Sequence, residues 1–101
     1  MSGGLNFQQM KTEDMRLVML RSIAEDSDSL NESLLQDVLE YYGHNVTRDR
    51  VRTEMRWLEE QRLVTIDDVS GIMVAKLTGR GCDVACGRAR VDGVKRPRPK
   101  E

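Results

Sequence analysis

Val46-Thr-Arg-Asp-Arg-Val-Arg-Thr-Glu-Met-Arg-Trp-Leu-Glu-Glu-Gln-Arg-Leu-Val64 has the period of an amphipathic helix. Thr47 can cap its first turn by accepting backbone N–H groups. Val51, Met55 and Leu58 then recur at i, i+4, i+7 and form one narrow apolar stripe. At helical spacing, Asp49, Arg52, Thr53, Arg56 and Glu60 fall on the other side, flanked by Arg50 and Trp57. A helix that packs on a domain and also enters a DNA groove needs such a division. A solvated helix face with balanced Arg and Glu has it too, so the neighbouring segments must decide.

Upstream, Leu34, Leu35, Val38, Leu39 and Tyr42 give another stripe with a 3.6-residue period. Its start fits a cap at Ser29 or Asn31. Gly43 stands where a helix end favours positive φ, and His44 and Asn45 complete a short turn into Val46. Two helices joined this closely, the second arginine-rich, match the helix-turn-helix pattern. Farther upstream, Thr12 followed by Glu13 and Asp14 is a plausible cap for a helix from Glu13 to about Ala24. That helix is apolar on two sides: Leu17 and Leu20 on one, Met15, Val18 and Met19 on the other. Such a helix is deeply buried or packs on a second surface. The second option makes Met15, Val18 and Met19 a candidate homodimer interface. Residues 1–11 lack a period and read as a flexible arm.

Downstream, the period changes. Leu63–Ile66 is β-branched, Asp67–Gly71 is rich in turn residues, and Ile72–Leu77 returns. This is a β-hairpin, a two-stranded wing. Thr78 opens a short closing helix to about Arg88, weakened by Gly79, Gly81 and Gly87. Gly and Pro then alternate with Arg90, Lys95, Arg96, Arg98 and Lys100, so 89–101 reads as a basic, disordered tail. The expectation is one domain over residues 12–88: mainly α, with three helices, a two-stranded hairpin and a closing helix.

Composition narrows the function. The chain has 101 residues and a net charge of −1. Residues 1–46 carry 3 Lys and Arg against 8 Asp and Glu; residues 47–101 carry 13 against 9. Positive charge therefore collects in the half that holds the arginine-rich helix and the tail. No apolar run is long enough to span a bilayer, and the first residues lack the three zones of a signal peptide. The expected location is the cytoplasm. Nothing in the spacing suggests a nucleophile, a phosphate-binding loop or a paired-carboxylate centre, so no enzymatic activity and no cofactor are expected. Cys82 and Cys86 lack a nearby His, which leaves zinc short of ligands unless a dimer completes the set. Buried small apolar residues is the favoured role, with no metal site. His44 reads as a turn residue, and Trp57 as a packing residue in preference to a partner anchor.

The order of elements looks like a winged-helix domain. "Val-Arg-Thr-Glu-Met-Arg-Trp-Leu-Glu-Glu-Gln-Arg-Leu-Val", a hairpin, then "Lys-Leu-Thr-Gly-Arg-Gly" resembles the recognition helix, wing and next helix of bacterial winged-helix regulators. "Asn-Val-Thr-Arg-Asp-Arg-Val-Arg-Thr-Glu", "Leu-Thr-Gly-Arg-Gly-Cys-Asp-Val-Ala-Cys-Gly-Arg-Ala" and "Gly-Val-Lys-Arg-Pro" are similar to small proteins of Mu-like phages and prophages filed as ArsR-like regulators. The resemblance runs from about Asp14 to Pro97. It implies a DNA-binding transcriptional regulator with 47–61 as recognition helix and double-stranded DNA as partner. Arg48, Arg50, Arg52, Thr53, Arg56, Lys95, Arg96 and Arg98 are then the candidate contacts. The alternative is a winged-helix adaptor that binds a phage or host protein and no DNA. The acids of the helix and the acidic wing tip, Asp67 and Asp68, suit it better. One departure stands out: Arg62 occupies a position where many winged helices have Gly. A positive φ there would cost Arg on the order of 1 kcal/mol.

Overall fold

The structure is a computed structural model, and it describes residues 6–98. Its axis is α1 (Phe7–Glu25). This helix starts well before the expected Thr12. Asn6 is the cap: its side chain accepts from the Gln9 N–H at 2.8 Å, and the Gln9 side chain accepts from the Asn6 N–H at 3.1 Å. This reciprocal pair offsets the loss of two orphan donors. Residues 7–11, expected in the arm, are thus the first turns of α1.

Met15, Leu17, Met19, Leu20 and Ile23 of α1 are buried, and Val18 packs on the same core. The expected dimer interface is therefore corrected at Met15 and Met19, while Val18 is only partly buried. Met15 and Met19 are 3% and 0% exposed, so a second subunit cannot reach them. The two-sided apolar pattern comes from a helix wrapped by its own chain. α2, α4 and the sheet pack against its apolar sides, and that burial removes apolar surface from water within one chain.

After α1 comes β1 (Ser29–Asn31), a strand that the local sequence pattern does not show. It pairs antiparallel with β3 (Ile72–Leu77), Leu30 opposite Ala75. β3 also pairs antiparallel with β2 (Val64–Val69), from Val64↔Leu77 to Val69↔Ile72. The sheet therefore has three strands in the order β1-β3-β2, not two. Ser29 and Asn31 are the two candidate caps of the second helix. Only Asn31 is a cap: it heads α2 (Glu32–Tyr41) and accepts from the Leu34 N–H at 2.8 Å.

A short turn through Gly43, at φ 92° as its position implies, leads to α3 (Arg48–Glu60), capped by Thr47. The next joint is tight. Arg62 takes φ 63°, the left-handed region that glycine occupies without strain. The Thr78 hydroxyl donates to the Arg62 and Leu63 carbonyls, at 2.8 and 3.0 Å, and accepts from the Gly81 N–H at 2.9 Å. That anchors α4 (Gly79–Ala85) directly on the joint. A Cβ at Gly81 would run into the Leu63 carbonyl, so the glycine that weakens α4 also permits this approach. In the hairpin, Ser70 and Gly71 both have positive φ, 54° and 83°. This is the twist of a two-residue turn that matches the strands.

Residues 89–98 were expected in a disordered tail. They lie along the body instead. Val94 is buried, Ala89 and Val91 pack on the core, and the Lys95 N–H donates to the Glu13 carbonyl at 3.1 Å. The expected limits of the domain, 12 and 88, are too narrow at both ends. Residues 1–5 and 99–101 lie outside the described residues.

Candidate functional site

The site is built around α3. Its apolar stripe, Val51, Met55 and Leu58, is buried as the period implies. Glu54 shares that inward side and is 4% exposed. A buried carboxylate is costly unless it is paired and hydrogen-bonded. Glu54 is both: Arg16 Nε of α1 lies 2.7 Å from Oε1, and Arg50 Nε lies 2.7 Å from Oε2. Arg16 also donates to the Gly93 carbonyl at 3.0 Å, and its guanidinium stacks 3.7 Å from the Trp57 ring centroid. Trp57 is thus the packing residue expected, partly buried against α1 and the C-terminal segment.

A second buried carboxylate lies on the other side of α3. Glu32, at the start of α2, is 0% exposed. Arg52 grips it with two bonds, Nε to Oε1 at 2.6 Å and Nη2 to Oε2 at 2.9 Å. The Met73 N–H donates to it at 2.6 Å, and Arg48 Nη1 stands 3.7 Å away. Arg52 Nη2 donates further to the Gly71 carbonyl at 3.0 Å. One carboxylate therefore joins α2, α3 and the hairpin. The Arg52 hydrogen bonds lead in holding the Glu32 carboxyl far below its usual range, at about 2; burial opposes them and the Met73 N–H assists.

These contacts redistribute the candidate residues. Arg52 is a clamp on the hairpin, with only part of its guanidinium free. Arg50 is held by Glu54 and by the Thr12 hydroxyl, to which it donates at 2.8 Å. Arg48 donates to the Gln36 side chain at 2.7 Å and stays 42% exposed. Arg56, 53% exposed, meets Glu59 at 3.0 Å. Exposed Thr53 donates its hydroxyl to the Asp49 carbonyl at 3.0 Å. Thr53 and Arg56 of the outer row, and half-exposed Arg48 at the start of the helix, are the parts best placed to meet a ligand. Asp49 and Glu60 are exposed among them.

The C-terminal candidates divide. Arg96 and Arg98 are exposed. Lys95 is drawn to Asp14 at 3.2 Å, and Asp14 also lies 2.7 Å from Nε2 of His44. Burial pushes the Asp14 carboxyl up, but hydrogen bonds from His44 and Lys95 outweigh it and the net shift is downward. His44 is therefore a buried tie between the α2–α3 turn and α1, more than a turn residue. Sequence could not reveal it, because its partner lies thirty positions away.

Cys82 and Cys86 are not buried as expected. Both are exposed free thiols, because α4 turns Gly81, Val84 and Ala85 inward and the cysteine side outward. Among the described residues no group of three or more His, Cys, Asp or Glu is placed to hold a metal ion. No helix among them is long and apolar enough to cross a membrane.

The opposite side of α2 carries a feature that the sequence pattern concealed. The expected core stripe divides in two. Leu35 and Leu39 are fully buried, whereas Leu34 and Tyr42 are 48% and 57% exposed and Tyr41 is 84% exposed.

No family model matches the chain, and no solved structure matches it. It is 60% identical over 89 residues to the uncharacterized protein gp26 of Escherichia phage Mu, a match over 88% of this chain and 93% of that protein. It is 44% identical over 90 residues to an uncharacterized protein of Haemophilus influenzae, over 85% of this chain and 88% of that one. With such identity across nearly the full length of both partners, this chain belongs to the family of small phage proteins that includes gp26 of phage Mu.

Proposed function

We propose that this protein is a winged-helix DNA-binding regulator of a phage, of the ArsR-like kind, with α3 as the recognition helix and the β2–β3 hairpin as the wing. One observation carries the reading. Thr53 and Arg56 stand exposed on the outer side of α3, with Arg48 half-exposed at its first turn beside Gln36, and the Glu32–Arg52 clamp ties that helix to the hairpin beside it. A helix presented on a rigid support loses little ordering entropy when it docks. Arg56 and Arg48 are suited to phosphates or guanine edges, and the Thr53 methyl to a thymine methyl. Arg96 and Arg98 add positive charge for the backbone. A homodimer would place two α3 helices about one turn of DNA apart, through a surface other than Met15 and Met19.

Titration of a labelled duplex at rising salt tests this. Binding at low salt should weaken steeply as salt rises, and Arg48→Ala with Arg56→Ala should weaken it further. Absence of binding at low salt, or indifference to both substitutions, would sink the reading.

A protein adaptor is the second reading. Val69 and Ile72, 57% and 40% exposed, cap the hairpin next to Asp67 and Asp68. An apolar, acidic tip repels phosphates and suits a protein surface. It predicts no DNA retention, together with a stoichiometric partner that is lost on Val69→Ser and Ile72→Ser.

A further inference from the structure

We infer that the groove between the end of α1 and the outer side of α2 is a docking site for a basic, amphipathic segment of a partner protein. This goes beyond the DNA-binding reading and uses a different surface. On α2, Leu34, Val38 and Tyr41 follow one another at i, i+4, i+7, with Tyr42 beside them. At about 100° per residue they lie away from Glu32 and Gln36, which face α3. With Ser22 of α1 and Leu30 of β1 they line a groove of ≈ 510 Å³. Its rim is acidic: Glu25, Asp26 and Asp37.

A row of large apolar side chains on the solvent side of a ten-residue helix is the pattern that takes an amphipathic segment by its apolar anchors. Charge then selects the occupant. Nucleic acid and an anionic lipid surface are repelled by the three carboxylates. A second copy seated symmetrically would bring the same carboxylates face to face, since a two-fold contact pairs one patch with itself. A segment with Leu-like anchors and Lys or Arg flanks satisfies both components, the apolar floor and the acidic rim. Tyr41 and Tyr42, edge-to-face with centroids 5.2 Å apart, supply rigid contact area of the kind that dominates binding energy.

A two-heptad helical peptide of leucine and lysine, labelled for anisotropy, is the probe, with a leucine–glutamate peptide of the same pattern as control. The expected result is saturable binding of the lysine peptide only. Backbone amide shift changes should be confined to the end of α1, β1 and α2. Leu34→Ser with Tyr41→Ser should weaken binding about tenfold or more, and Asp37→Lys should weaken it independently. All three side chains are exposed, so the unfolding midpoint of each variant should stay near that of the parent. Absence of binding, equal binding of both peptides, or shifts centred on α3 would overturn the proposal. So would a concentration-dependent dimer of the protein alone that is broken by Leu34→Ser, because it would assign the groove to a second copy. DNA titration of the Leu34→Ser, Tyr41→Ser protein separates the two surfaces: its DNA affinity should match the parent's.

Discussion

Two buried glutamates, Glu54 in α3 and Glu32 beside it at the start of α2, differ in their surroundings. Glu54 looks toward α1 and the C-terminal segment. Its partner Arg16 is itself largely enclosed, with a side chain 16% exposed, stacked on Trp57 and bonded to Gly93. Glu32 looks toward the hairpin. Its principal partner, Arg52, is 44% exposed and belongs to the outer row of α3. One pair closes the interior; the other lies where interior and surface meet. Buried ion pairs contribute little net stability against a hydrophobic alternative, but loss of one partner is costly. The two clusters should therefore respond differently to the same kind of substitution.

The largest effect is expected at Arg16. Arg16→Ala leaves Glu54 buried with Arg50 alone, removes the stack on Trp57 and frees the Gly93 carbonyl. Because Arg50 still pairs with Glu54, the loss expected is about 3 kcal/mol, the low end of what breaking a buried pair costs, with the Trp57 stack and the Gly93 bond lost as well. It is read as a lower urea midpoint with an unchanged slope. Arg52→Ala should cost less, about 2 kcal/mol. Glu32 keeps the Met73 N–H, and Arg48 stands near enough to turn toward it. The informative readout for Arg52 is local: amide exchange in β2 and β3 should accelerate more than in α1. Equal acceleration in both places would show that Glu32 holds the whole domain and not the hairpin in particular.

The sequence carried one of these clusters in partial form. Glu54 stands at i+3 from Val51 and just before Met55, inside the apolar stripe. An acid at an inward position signals a buried pair, although its partner on α1 is invisible to local spacing. Glu32 gave no such sign, since an acid in the first turn of a helix is favoured there by the helix dipole alone. The four helices, the hairpin and the Thr47 cap were legible because each rests on local periodicity or turn chemistry. Strand β1 was not, because three residues become a strand only by pairing with β3, more than forty positions away. The arginine row was legible as a row. Which arginines stay available was not, for that depends on where the two glutamates lie in space.

Acid should distinguish the clusters next. The Glu32 carboxyl titrates at about 2 in the fold against an ordinary 4.5. A lowered value means that the folded form favours the ionised group. The stabilisation is complete above pH 4.5 and is lost as pH falls toward 2. Urea midpoints measured across that window should fall. In Glu32→Gln the midpoint at neutral pH should be lower, and the additional fall across the window should shrink. Asp14, also lowered, contributes in the same direction in both proteins, so the difference between them isolates Glu32. Parallel profiles would mean that the clamp around Glu32 is not fully formed in solution.

The smallest change in stability is expected at Arg56, which belongs to neither cluster. Its partner among the described residues, Glu59, is 38% exposed and three residues away. An exposed pair of this sort contributes little, so Arg56→Ala should shift stability by no more than about 0.5 kcal/mol. If α3 binds DNA, the same substitution should weaken binding and reduce the salt slope by about 1. Arg16→Ala, measured under conditions where it is folded, should leave that slope unchanged, because its guanidinium faces Glu54 and Trp57. A slope that follows Arg16 and ignores Arg56 would move the binding surface off α3. The opposite pattern would separate the residues that hold the fold from those that the fold presents.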